Sequence, residues 1–234
     1  MNPRVIVIGV IGAVAVVVLA AAAVGGTFLS SRHSAPPGLA LSNSGSATAS
    51  SALAGKWTVG TGSQVGYRAK EQFINQPSQT EAVARTSDVT GSLEVAVSGG
   101  TVKISQMKFT VQLASLASQD KYATYQVYQR DFFVRAICLQ TGSFPTAVFV
   151  AESATFPMPA GGPVSVDVPG KLTVHGVSRN VTAHVQAQAT GASAEVAGTI
   201  TVDMRDFAID PPDISFTRAQ PAVTIEYDLK LVHA

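Results

Sequence analysis

Sulfur, charge and aromatic rings are scarce in this 234-residue chain. A single cysteine, Cys138, excludes an intrachain disulfide, so an apolar core rather than a covalent staple must hold the fold. Charged residues make up 13% and the net charge is +1, with no run rich in Lys and Arg. That removes the basic footprint a nucleic-acid partner needs. The four histidines, His33, His175, His184 and His233, stand apart, with no cysteine or carboxylate at ligand spacing. H-x-x-x-H, H-E-x-x-H and C-x-x-C are all missing, so no metal site is expected. There is no G-x-S-x-G elbow and no phosphate-binding glycine loop, hence no expected cofactor and no catalytic residue to name. Asp210 and Asp213 flank Pro211-Pro212 and read as turn formers rather than an acid/base pair. Of the functional classes open to the chain, catalysis is the weakest.

What is abundant is apolar residues, in two layouts. The first is Val5 to Val24, which contains no charged residue and follows Arg4. At about 1.5 Å per residue such a helix spans roughly 30 Å, the hydrocarbon thickness of a bilayer. Two readings compete. A secretory signal would be cleaved near Ala20 to Ala23. An uncleaved anchor needs the whole length apolar, and Val5 to Leu19 followed by alanines supply it, which favours the anchor. Arg4 then sets the N-terminus in the cytoplasm. The expectation is a single-pass cytoplasmic-membrane protein with its body on the extracytoplasmic side, or a secreted protein if the segment is cleaved. Residues 1–29 are the anchor or signal. Residues 30–55, rich in Ser, Ala, Gly and Pro, read as a flexible linker. Residues 56–234 form one domain.

The second layout is strict alternation, the signature of strands with one dry face. Val181 to Ala189 places Val or Ala at every odd position and Thr, His or Gln at every even one. Ala194 to Met204 and Val223 to Leu231 repeat the pattern. Val102 to Leu113 changes phase near Ser105-Gln106, which predicts a β-bulge. Further strands are expected at Trp57 to Ala69, Thr90 to Val97, Ala147 to Ala154 and Val164 to Val174. Asp120 to Leu139 has apolar residues at roughly helical spacing and no Gly or Pro, so a short helical insertion is expected there. The fold class is all-β: an eight-stranded antiparallel barrel, since closure removes the sheet edges, with a short helical insertion and one preceding transmembrane helix.

A barrel of that size is either filled by side chains or holds one small ligand. Small inward residues (Ala183, Ala187, Ala189, Ala194 and Gly198) leave volume; Phe109, Phe149 and Tyr227 on facing strands could fill it. If the apolar face of each strand points inward, the lumen candidates are Tyr67, Phe109, Val111, Phe149, Val185 and Tyr227. A packed lumen would instead mean a structural or protein-interaction domain.

Several motifs stand in order along the body. Trp57-Thr58-Val59 is followed by Ser63-Gln64-Val65-Gly66-Tyr67, then by Val89-Thr90-Gly91-Ser92-Leu93. Arg130-Asp131 precedes Phe144-Pro145-Thr146, Leu172 to Arg179 reads L-T-V-H-G-V-S-R, and Arg205-Asp206-Phe207 comes near the end. This series resembles the YceI-like, or polyisoprenoid-binding, family across the whole body. The resemblance implies an extended, lipocalin-like barrel whose hydrophobic channel takes a long isoprenoid or other lipid. It also implies a secreted or periplasmic setting and no catalysis. Phe144 stands where the family has Tyr, Ala208 where it has Gly after R-D-F, and the loop from Ile74 to Ser87 is long. The motif residues Trp57, Arg130, Asp131, His175, Gly176, Arg179, Arg205, Asp206 and Phe207 read as structural. The expected partners are a lipid in the barrel and the membrane through Val5-Val24, with the oligomeric state open, a homodimer included.

Overall fold

The computed structural model describes residues 33–42, 53–74, 76–122, 127–159, 161–214 and 216–234. The predicted anchor, Val5 to Val24, lies outside the described residues, as does the linker from 43 to 52. Among the described residues no helix is long and apolar enough to cross a membrane.

The alternating segments form strands. In chain order these are β1 (His33–Ser34), β2 (Gly55–Val59), β3 (Gln64–Phe73), β4 (Thr80–Thr86), β5 (Val89–Ser98) and β6 (Thr101–Gln112). Two short pieces follow, β7 (Ala117–Ser118) and β8 (Lys121–Tyr122), then the helix α1 (Val127–Phe133), which widens into a π-helical turn over Val134–Cys138. The long strands resume with β9 (Thr146–Pro157), β10 (Val164–Val174), β11 (Val177–Thr190) and β12 (Ser193–Asp203). The hairpin piece β13 (Asp213–Ile214) and the long β14 (Thr217–His233) complete them. β2 and β3 run end to end along one edge of β14, and β4 and β5 continue one another beside them. Counted this way there are eight staves, every neighbour antiparallel, and the β12–β14 pairing closes the ring. The helical insertion falls where helical spacing predicted it.

The bulge is also where the phase change put it. Gln106 has φ of 53°, and the β5–β6 register shifts between Ser92 and Glu94. Its effect crosses into β9. Ala147, Phe149 and Ala151 face inward, then the phase flips at Glu152-Ser153 and Ala154 and Phe156 face inward. β10 keeps strict alternation, with Val164, Val166, Val168 and Leu172 inward. Continuing the Val150–Lys171 register would set inward Ala154 against outward Asp167. The β9–β10 ladder therefore stops after Val148–Val150 against Lys171–Thr173, although on their other edges β10 is paired throughout and β9 at every residue but Glu152, opposite the bulge. Pro169, which has no N–H, sits in this seam.

One stretch differs from expectation. Residues 33–42, read from composition as part of a flexible linker, lie along the outer wall. β1 pairs with β8. The guanidinium groups of Arg68 and Arg85 donate to the carbonyls of Pro36 (2.7 Å) and Pro37 (2.5 Å). Leu39 N–H donates to Glu226, and Ser42 N–H to Glu195. Composition measures how much apolar surface a segment can bury; it does not register charged groups waiting on a barrel wall. Glu226, on the outer face of β14, is only 1% exposed because this strap and the two arginines cover it.

Candidate functional site

Inward side chains from all eight staves surround an internal cavity of about 350 Å³. That is within the usual size of a small-molecule site. All six lumen candidates, Tyr67, Phe109, Val111, Phe149, Val185 and Tyr227, line it. Both expectations about volume are partly met: the large rings do face inward, yet Ala183 and Ala187 opposite them leave space. Gly198 shows how tightly the wall is built. A Cβ there would lie 2.6 Å from the Tyr227 hydroxyl, which donates to His184 O at 3.0 Å. With that bond made and the ring enclosed, burial pushes the Tyr227 phenol well above its ordinary pKa.

The cavity is not uniform. The hairpin end is lined by aliphatic groups such as Ile104, Val164 and Val196. The other end is roofed by α1 and its π turn, which turn Phe133, Val134 and Cys138 toward the lumen. Here the lining includes Tyr67, Glu71, Gln129 and Arg130. Arg130 donates to Glu71 at 3.1 Å, to Ser118 Oγ at 2.8 Å and to Asp120. Burial opposes its charge, but Glu71 and then Asp120 outweigh that and hold the guanidinium protonated more firmly than usual. Its Nε is buried without a partner among the described residues. Close by, burial pushes the Tyr67 phenol well above its ordinary pKa. A buried donor without a partner at one end of an otherwise apolar cavity is a site for a polar group.

The motif residues divide by place. Trp57 is core, its ring 2% exposed and its Nε1–H donating to Leu53 O. Asp131 is held by Ser118 through its N–H and hydroxyl, so Arg130 and Asp131 are neighbours that bond elsewhere. The L-T-V-H-G-V-S-R segment is the β10–β11 hairpin, with His175 (φ 51°) and Gly176 (φ 73°) as its two turn residues. Positive φ at both matches a type I′ turn. His175 lies edge-on to Phe144, 4.6 Å between centroids, and its Nδ1 is 3.2 Å from Phe207 O. Arg179 is exposed at the start of β11. Arg205 pairs with Asp203 rather than with adjacent Asp206, and holds the Asp203 carboxyl down at about 2. Phe207 is buried beside Leu172 and Ile209. Only Arg130 and Phe207 of this set reach the cavity. Among the described residues no three His, Cys, Asp or Glu side chains converge on a metal-sized gap.

Sequence reasoning missed Glu71, Asp120 and Gln129. A signal for Glu71 existed: it continues the inward series Val65, Tyr67, Ala69 as a carboxylate among apolar neighbours. The strand had been expected to end at Ala69, one inward position short.

A family model for the YceI-like domain matches residues 57–231. The chain belongs to the YceI-like family. Two solved structures share the fold of this YceI-like protein. A polyisoprenoid binding domain from Saccharophagus degradans, implicated in plant cell wall breakdown, is 13% identical with a TM-score of 0.52, covering 77% of this chain and 99% of its own. BcnA of Burkholderia cenocepacia is 21% identical with a TM-score of 0.50, covering 72% and 95%. No curated protein matches the chain.

Proposed function

We propose that this YceI-like protein binds a long-chain isoprenoid or similar lipid in its barrel, stores or passes it on without making or breaking bonds, and does so at the outer face of the cytoplasmic membrane. The observation that carries the reading is the apolar cavity inside the barrel with an unsatisfied donor, Arg130 Nε, at one end. Each CH₂ transferred from water contributes about 0.8 kcal/mol, so a long chain gains far more than any single polar contact. The polar end of the ligand then meets Tyr67 and Arg130. Two carboxyl groups, Glu71 and Asp120, already face that one guanidinium, so a neutral oxygen suits the site better than a phosphate. Family membership, and the polyisoprenoid-binding domain that shares the fold, support the ligand class. The apolar run Val5 to Val24 supports the location. The same cavity weakens the alternative of a solidly packed interaction domain.

The test is direct. Full-length protein purified from its native membrane is extracted with organic solvent and the extract analysed by mass spectrometry. The expected result is one class of prenyl or acyl lipid near 1:1 with protein. An extract without lipid, together with failure to take up added polyprenol or fatty-acyl probes, contradicts the proposal.

A further inference from the structure

The α1 end of the barrel carries apolar side chains for which the fold has no use. Ile74 is 68% exposed, Phe132 58% and Ile137 48%. Ile74 follows β3 at this end, its N–H donating to Phe216 O, three residues beyond Glu71. Phe132 and Ile137 stand on α1 and its π turn, from which Arg130 reaches back to Glu71. Their helix neighbours Phe133, Val134 and Cys138 face the cavity. This short helical segment therefore shows apolar side chains on two sides, where an ordinary surface helix shows one apolar stripe. The other exposed large apolar residues among those described, Val150 and Val232, lie singly in β9 and β14. Isolated exposure needs no explanation, whereas three such residues around one mouth do.

The chain itself indicates what covers them. β1 pairs with β8 at this same end, next to Asp120, the partner of Arg130. Only residues 25–32 separate His33 from the apolar run ending at Val24. Fully extended, that connection reaches about 30 Å at most. An anchor at Val5 to Val24 thus keeps the α1 end within one bilayer thickness of the membrane surface.

We propose that the α1 end is a membrane-docking surface. Phe132, Ile137 and Ile74 enter the lipid interface, and the polar end of the cavity opens toward the bilayer. A lipid drawn in by its tail would leave its polar end beside Tyr67 and Arg130. The inference rests on the tethered, lipid-binding reading above, and its test separates the two.

Full-length protein carrying Cys138→Ser is labelled with a bimane fluorophore at Phe132→Cys or, as a control on the opposite hairpin end, at Ser98→Cys. Each is reconstituted in phosphatidylcholine vesicles containing acyl-chain spin-labelled lipid. The expected result is at least threefold stronger quenching at position 132 than at 98. In the double variant Ile74→Ser, Ile137→Ser, quenching at 132 falls toward the level at 98. Equal or weaker quenching at 132 overturns the proposal. So does a chain that fails to float with the vesicles, or one whose position-132 label is shielded in a dimer without being quenched. Organic extraction of the same preparation reads the cavity independently: quenching without bound lipid sinks the binding proposal and leaves docking, and bound lipid without quenching does the reverse.

Discussion

Arg130 is the side chain on which the polar end depends. Only a tenth of it is exposed, and Glu71 and Asp120 both rely on it. Replacing it with Met takes the guanidinium from two buried carboxyl groups, while the His33 imidazole stays 3.5 Å from Asp120, a loss of about 3–5 kcal/mol. Arg130→Met is therefore expected to melt well below wild type; an unchanged melting temperature would show the ion pairs to be idle. Cys138 offers a second readout. Burial pushes its thiol up to about 12 from an ordinary 9.0, and only the thiolate reacts. At pH 8 iodoacetamide should label the folded protein at least tenfold more slowly than the unfolded chain. Because Cys138 lines the cavity, a bound lipid should slow labelling further. The folded thiol keeps its proton where the unfolded one loses it, so this residue subtracts stability as pH climbs above about 9. At this scale the sequence was readable wherever alternation continued: the six lumen residues follow from the apolar face alone. Glu71, Asp120 and Gln129 were not, because their importance comes from a helix folding over a strand end.

Two local devices shape the wall. The first is the β10–β11 turn. A Cβ on Gly176 would lie 2.7 Å from Phe144 Cε1, and its φ of 73° is costly for any residue with a side chain. Gly176→Ala is expected to cost about 1–3 kcal/mol, read as a lower urea midpoint at unchanged slope. A midpoint within error of wild type would mean that the turn tolerates a side chain. The second is the bulge at Gln106 and the seam it forces between β9 and β10. Amides of 152–157 and 164–168 that point into the seam lack ladder partners, so they should exchange with solvent far faster than those between β12 and β14. Uniform protection across both would contradict the broken ladder. The bulge was legible as a flip in the apolar phase of β6. The seam was not, since it arises only when a flipped strand meets one that keeps its phase. The strap at 33–42 was illegible for a related reason: its partners, Arg68, Arg85 and Glu226, lie far along the chain on the outside of the barrel.

Over the whole molecule the layout is an N-terminal apolar run in the sequence, a connection, and a closed barrel with space inside. Without disulfides the barrel depends on apolar burial and ring closure, and the volume left at Ala183 and Ala187 is core packing forgone. Closure pairs the strand edges of a chain with so little charge everywhere except the β9–β10 seam. Family membership accounts for the barrel; the cavity's polar end joins the motif residues Tyr67 and Arg130 to Glu71 and Gln129. The pairing of Arg130 with two carboxyl groups predicts a preference among ligands: a polyprenol should bind at least tenfold more tightly than the polyprenyl phosphate of equal length. The measurement that tests the central claim most directly is native mass spectrometry of the full-length protein titrated with a polyprenol, set beside an Ala187→Trp variant that fills the lumen. The account predicts one lipid per wild-type chain, saturating, with binding lost in a variant whose melting temperature is unchanged or higher. Binding that persists with the lumen filled, or no binding to the wild type, would contradict it.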